Sequence, residues 1–269
     1  MRKGLLPRLH PIATIAAELH ASIGAVLRRP LGVPDSYSLG AFEHSPWNQG
    51  ETETCWAHSA EHGVYTALSA SGRRPATPFS PAKLARCGYA LLRGMSTPVG
   101  TPFPRLADTG ADDTTTFAAL SRYGLDPLPG PTVSDATPAS VIIEPTLPDV
   151  ETAMPVVGPY AIDPYARNAV EVVAAAIYAG HPVWVGAGCS EAEEQWVSGA
   201  APLDAPPSYA PGHATLLDGW TTVDGGRIFT KLGSWGAKYG DAGRCLVTPA
   251  WLAAAWWMRP IVVAPMGGH

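Results

Sequence analysis

Cys55 stands where a loop feeds into a helix, and its residue type and place there suggest chemistry. From Cys55 onward Trp56, Ala57, Ala60, Val64, Ala67 and Leu68 recur at helical spacing, and Ser69-Ala70-Ser71-Gly72 supplies a stop with a C-terminal glycine. A thiol on the first turn of a helix faces unpaired backbone N–H groups and the positive end of the macrodipole. Both stabilise a thiolate and lower the cysteine pKa, which makes a nucleophile. Six residues upstream, the Gln49 side-chain amide can donate a hydrogen bond to a developing oxyanion, with the backbone N–H of Cys55 as second donor. Cysteine is also among the most buried residue types, so the bland alternative is a small core hydrophobe.

The same helix carries a second pattern. His58-Ser59-Ala60-Glu61-His62 fits H-x-x-E-H, in which two histidines at i and i+4 share a face and can bind zinc, with Glu61 as base. The pattern is short and the chain has eight histidines. The thiol reading is therefore preferred, and no metal or other cofactor is expected.

The elements that must position these groups follow from the rest of the chain. With 269 residues, 46% hydrophobic and 15% charged, the sequence is that of a globular protein with a substantial core. A net charge of −5 gives no electrostatic footprint for nucleic acid, and no apolar run approaches the length of a membrane span. Pro11 to Leu27 has an apolar face and reads as an amphipathic helix in an N-terminal extension, residues 1–32. Ser80 and Pro81 open a helix as N-cap and first residue. Thr114 to Tyr123 reads as a short helix ending at Gly124, and Asn168 to Ala179 as another, followed by a β-rich run, Val183-Trp184-Val185-Gly186. Residues 94–113 read as loop, and the proline-dense stretch 127–161 as a connector. Glu191-Ala192-Glu193-Glu194 reads as a solvated loop face. Trp251 to Met258 reads as a short helix with three tryptophans, either core packing or a partner surface.

Three segments together resemble the papain-like cysteine peptidases of the papain/cathepsin type. They are Asn48-Gln49-Gly50 with Cys55-Trp56-Ala57-His58-Ser59-Ala60, then Gly212-His213-Ala214-Thr215-Leu216-Leu217-Asp218-Gly219-Trp220, then Lys231-Leu232-Gly233-Ser234-Trp235-Gly236. The Gln-to-Cys spacing and the order of the motifs match that family. Val33-Pro34-Asp35-Ser36-Tyr37-Ser38-Leu39 resembles the opening of its mature enzymes, and the resemblance covers roughly residues 33–250. It implies an α+β, two-lobed fold: a mainly helical lobe over 33–150 with the nucleophile helix, and a mainly β, barrel-like lobe over 151–269 with the histidine and the C-terminal segment, the cleft between them. It also implies roles. Cys55 is the nucleophile, His213 its base and later its acid, Gln49 an oxyanion donor, and Trp235 a shield over the histidine's partner.

The sequence departs from that pattern at two places. Gly233 occupies the position of the asparagine that orients the histidine, and glycine has no side chain to accept the imidazole N–H. Ser234, beside it, does not usually point toward the ring in this family. Thr52 stands where relatives have a cysteine, so the disulfide to the Cys87 position is not formed. That favours a reducing compartment; a Cys189–Cys245 pair stays open.

Two functions are expected from these features. The first is a cysteine peptidase hydrolysing peptide bonds through a thioester, with a peptide or protein as substrate. The second is a catalytically weakened papain-fold component of a larger assembly such as a viral particle, its partner contacting residues 1–32 and the tryptophan-rich C-terminal segment. No continuous apolar stretch of a secretory signal follows Met1-Arg2-Lys3. The expected location is the cytoplasm or a larger particle, without nucleic-acid or membrane partners.

Overall fold

The computed structural model describes residues 33–92, 110–125, 156–157, 161–207 and 210–263. The N-terminal extension, with its expected helix and assembly partner, lies outside the described residues, as does most of the 127–161 connector.

Helix α1 (Cys55–Ala70) is the central rod, and every residue from Trp56 to Ser69 is buried. A helix buried all round needs small residues on its sides, and Ala57, Ser59, Ala60, Gly63 and Ala67 provide them. Helix α2 (Pro81–Leu92) packs beside it. Its first turn is capped as expected, with Ser80 Oγ accepting from the Lys83 N–H at 3.1 Å. Helix α3 (Asp113–Tyr123) starts one residue before the expected Thr114, because Asp112 is the N-cap and accepts from the Thr115 N–H at 2.7 Å. Helix α4 (Ala169–Tyr178) matches its expected span to within a residue at each end.

The strands are β1 (Ser36–Ser38), β2 (Val156–Val157), β3 (Val183–Gly188), β4 (Gly212–Val223), β5 (Gly226–Leu232), β6 (Arg244–Val247), β7 (Trp257–Pro260) and β8 (Val262–Val263). Six of them form one antiparallel sheet in the order β6-β5-β4-β3-β7, with β1 added to β4. β2 and β8 form a separate pair. One edge of β4 is shared: β3 pairs with its first half and β1 with Gly219–Thr221. Side chains alternate across the sheet, as strand geometry requires. Val183, Val185 and Leu217 face a core with α4 and Trp251, whereas Trp184 and Leu216 face the core around α1, α2 and α3. At Gly63 of α1 an added Cβ would lie 2.9 Å from Leu216 Cδ1, so glycine lets helix and sheet approach.

Three expectations are corrected here. The β lobe is an open sheet, not a barrel. Its two outer strands are capped by other segments: β7 by a bridge between Ile162 and Met258, and β6 by a bridge between Leu203 and Val247. They therefore never meet each other. Second, the C-terminal helix is only α6 (Pro249–Ala253), with Thr248 as cap. The Trp256 N–H instead donates to Gly186 O at 2.8 Å, and Trp257 to Pro260 are recruited to β3 as strand β7. Third, Glu191 to Glu194 form a single helical turn, α5, capped by Ser190, and Glu193 is buried rather than solvated. No helix among the described residues is long and apolar enough to cross a membrane.

Candidate active site

The loop before α1 is stitched to the segment after β5. The Gln49 N–H donates to Ser234 O at 2.8 Å, the Gly236 N–H donates to Trp47 O at 2.9 Å, and Asn48 bridges Trp235. This places Cys55, the first residue of α1, against the start of β4, where the Ala214 N–H lies 3.5 Å from Cys55 Sγ. His213 is the preceding residue, and its register position opposite Ala187 is set by the β3–β4 ladder.

Cys55 and His213 line one cleft of about 550 Å³. Its walls come from the N-terminal end of α1, the end of α2, the turn before α3, β3 and the start of β4, and its aromatic side is Trp256 and Trp257. Trp257 packs on Gly186, where an added Cβ would lie 2.5 Å from its indole nitrogen. The bulk and position of these tryptophans were not assigned to a cleft by sequence reasoning. Their helical spacing with Trp251 concealed the change to a strand. Of the three, Trp251 is buried core and Trp256 is 57% exposed on the cleft wall.

His213 lies flat on Trp235, with ring centroids 4.7 Å apart and planes within 6°. Its Nε2 is buried and has no hydrogen-bond partner among the described residues. Ser234 does not reach it, because Ser234 Oγ donates to Gln49 Oε1. Gly233 leaves room at the vacant position: an added Cβ would stand 3.4 Å from Trp235 Cε3 and 3.8 Å from Gly243 O, in ordinary contact.

Gln49 is buried, and it is tied at both ends of its amide. Nε2 donates to Thr52 O at 2.6 Å while Oε1 accepts from Ser234. One Nε2 proton is committed to this turn, which leaves the second for another acceptor. Gln49 is not among the residues that line the cleft.

The electrostatics reverse one expectation. Burial pushes the Cys55 thiol up to about 11, against the lowering effect of the Ala214 and Trp56 N–H groups. The helix terminus acts in the expected direction but desolvation is larger. Burial also pulls His213 down to about 4, and the Lys231 ammonium adds to this. The resting pair is thus a neutral thiol beside a neutral imidazole at neutral pH.

Lys231 was not singled out by sequence reasoning. It is fully buried in β5, forms an ion pair with Glu193 of α5, and lies 5.9 Å from the Trp235 ring centroid and 5.3 Å from that of Trp251. Burial draws its pKa down, but Glu193 and the neighbouring thiols hold it above the ordinary value on balance. A lysine between apolar strand neighbours, Phe229 and Leu232, was the signal for a buried partner. Cys189 and Cys245 are free thiols beside this pair, so the disulfide left open for them is not formed. His58, the first residue of the H-x-x-E-H pattern, commits its Nδ1 to the backbone, donating to Thr54 O at 2.9 Å.

No protein-family model matches the sequence, and no curated protein matches it either. Solved structures do. Xylellain, a cysteine protease from Xylella fastidiosa, superposes with a TM-score of 0.62 at 17% identity, over 97% of this chain and 96% of that one. The bromelain protease from Ananas comosus, in complex with the E64 inhibitor, gives 0.56 at 17% identity, over 85% and 99%. The digestive procathepsin L 3 of the Tenebrio molitor larval midgut gives 0.56 at 19% identity, over 91% and 78%.

Proposed function

Starting from the papain-like fold that this chain shares with those cysteine proteases, we propose that it is a cysteine peptidase acting on peptides or proteins through Cys55 and His213. The observation that supports this best is that the Cys55 thiol and the Trp235-stacked His213 line the same open cleft. In the first step Cys55 Sγ attacks the scissile carbonyl carbon as its proton passes to the His213 imidazole. The oxyanion is held by the backbone N–H of Cys55 and, once the Gln49 amide turns into the cleft, by its uncommitted Nε2 proton. The C–N bond then breaks, His213 gives the proton to the departing amine, and a thioester remains. Water, deprotonated by His213, attacks the thioester carbon, and the proton returns to sulfur as the acid leaves.

A neutral resting pair makes proton transfer part of the attack rather than a step completed beforehand. Gly233 adds to the barrier, since nothing among the described residues holds the far nitrogen of the imidazole. A catalytic group without its orienting partner loses about 10²-fold in rate. The second reading, a weakened papain-fold protein kept for its surface, draws on the same unpartnered Nε2.

The test is labelling with an epoxide inhibitor of papain-like enzymes, read by intact mass on the wild type and on Cys55→Ala. One adduct that disappears in the variant is expected. A correctly folded protein that takes no adduct would remove the peptidase reading and leave the second.

A further inference from the structure

We propose that His44, Glu61 and His62 form a binding site for one divalent zinc-class ion, which clamps the loop before the nucleophile onto α1. A ligand atom from each of the three side chains lies within 4.8 Å of the others. All three side chains are buried, at 7%, 0% and 4% exposure. The site is separate from the cleft, which none of them lines.

The hydrogen bonds around His44 require a cation at this place. Its Nδ1 lies 2.7 Å from Ser45 O, and a carbonyl only accepts, so Nδ1 carries the proton. In the neutral ring Nε2 is then a lone pair, and it faces Glu61 Oε2 at 3.2 Å. The Glu61 carboxylate accepts from Trp47 Nε1 at 3.1 Å and from the Phe79 N–H at 2.9 Å, donors that favour its ionised form. Two acceptors 3.2 Å apart need a positive charge between them, either a proton or a metal ion. The separation suits a metal: tetrahedral zinc with bonds of about 2.0–2.1 Å spaces its ligands by about 3.3 Å.

His62 decides between the two. A proton shared by His44 and Glu61 satisfies that pair alone and leaves His62 Nε2, which is buried and has no hydrogen-bond partner among the described residues. An ion held by all three groups gives a role to every one. The surroundings also resemble the support that metal ligands receive, with a carbonyl fixing one imidazole and two N–H groups fixing the carboxylate. Two imidazoles and one carboxylate suit zinc better than calcium or magnesium, which take mostly oxygen. Glu43, whose Oε2 is 3.6 Å from His62 Nε2, stands next to the fourth position. Neither nearby guanidinium donates to His44, Glu61 or His62: Arg244 binds Asp218 and the same Glu43 carboxylate oxygen, which holds Glu43 outside the three-ligand set, and Arg74 binds Tyr65 and Glu43 O. The site keeps Glu61 and His62 of the H-x-x-E-H pattern and replaces His58 with His44 from the preceding loop.

The test uses the full chain carrying Cys55→Ala, so that the thiol–imidazole pair cannot chelate. After chelator treatment and dialysis, zinc chloride is returned and bound metal is measured by mass spectrometry. One zinc per chain is expected, with a thermal midpoint about 5–10 °C higher at a hundredfold excess over Kd. Both effects should vanish in His44→Gln and in His62→Gln and persist in His58→Gln. A parallel cobalt(II) spectrum keeps the proposal open to failure where a variant does not fold. Visible bands without thiolate charge transfer support the His–Glu–His donor set. No stoichiometric zinc, binding unchanged in both variants, or a thiolate band would overturn it.

Discussion

The plane of Trp235 covers His213 at 4.7 Å, yet the imidazole Nε2 beside that stack has nothing to donate to or accept from among the described residues. The indole therefore controls the tilt of the ring but not its rotation in its own plane. Rotation is the freedom that a hydrogen bond at the far nitrogen would remove.

Gly233→Asn should supply that bond. The backbone there accepts a Cβ without a clash. The expected outcome is a rise of about 10-fold to 10²-fold in the rate constant for epoxide labelling of Cys55, and in kcat/KM on a peptide substrate. Labelling at an unchanged or lower rate would show that the orientation of His213 does not limit reactivity.

The pH dependence of Cys55 should be that of a thiol whose pKa is raised. A thiol pushed up to about 11 stays protonated through neutrality, and its thiolate fraction rises tenfold per pH unit below that value. Alkylation by iodoacetamide should accordingly climb from pH 7 to pH 10 without a plateau. A plateau already reached between pH 5 and pH 8 would mean that a thiolate–imidazolium pair forms instead.

The Lys231–Glu193 pair should behave as a unit. Lys231→Met leaves a buried carboxylate without its counter-ion and should cost about 3–5 kcal/mol in urea unfolding. Lys231→Met combined with Glu193→Leu should recover most of that loss. Because Lys231 is one cause of the low His213 pKa, the double variant should also move the acid limb of Cys55 labelling to higher pH. An unaltered limb would confine the pair to a structural role.

Acid should destabilise the fold before it titrates the carboxylates. Burial holds both His58 and His213 near 4, against about 6.5 in an unfolded chain. Below pH 6.5 the unfolded chain takes up protons that the folded chain refuses. Stability present above 6.5 is thus lost as pH falls toward 4, by about 3 kcal/mol for each histidine over the whole window. Glu61 faces His58, and Lys231 and Glu193 face His213, so His58→Gln isolates the simpler case. Its thermal midpoint should fall less between pH 7 and pH 5 than that of the wild type.

What could be read from the sequence was what local pattern determines. The Cys55 helix, the Ser80 and Pro81 helix start and the span of α4 follow from period, caps and propensity. The segments around Gln49, Cys55, His213 and Trp235 pointed to the fold that the solved structures share. What could not be read depends on partners distant in the chain. Glu193 looked solvated because its lysine is 38 residues away. The 251–258 stretch kept a helical period, but β3 claimed Trp257 to Pro260 as a strand. The sign of the Cys55 shift could not be read for the same reason: the helix end is local, whereas the desolvation that outweighs it exists only in the assembled fold.

The stitching of the Gln49 loop to Ser234 and Gly236 also has a consequence in time. The Ser234–Gln49 bond spans 185 residues and the Ala214–Cys55 contact 159. Long-range closures of this kind form late in folding. On the ribosome the Gln49 loop and the thiol emerge early, but His213 and the Ser234–Gly236 segment that pins the loop are absent until synthesis has passed residue 236. A nascent chain therefore lacks the assembled Cys55–His213 arrangement, which closes only with the finished fold.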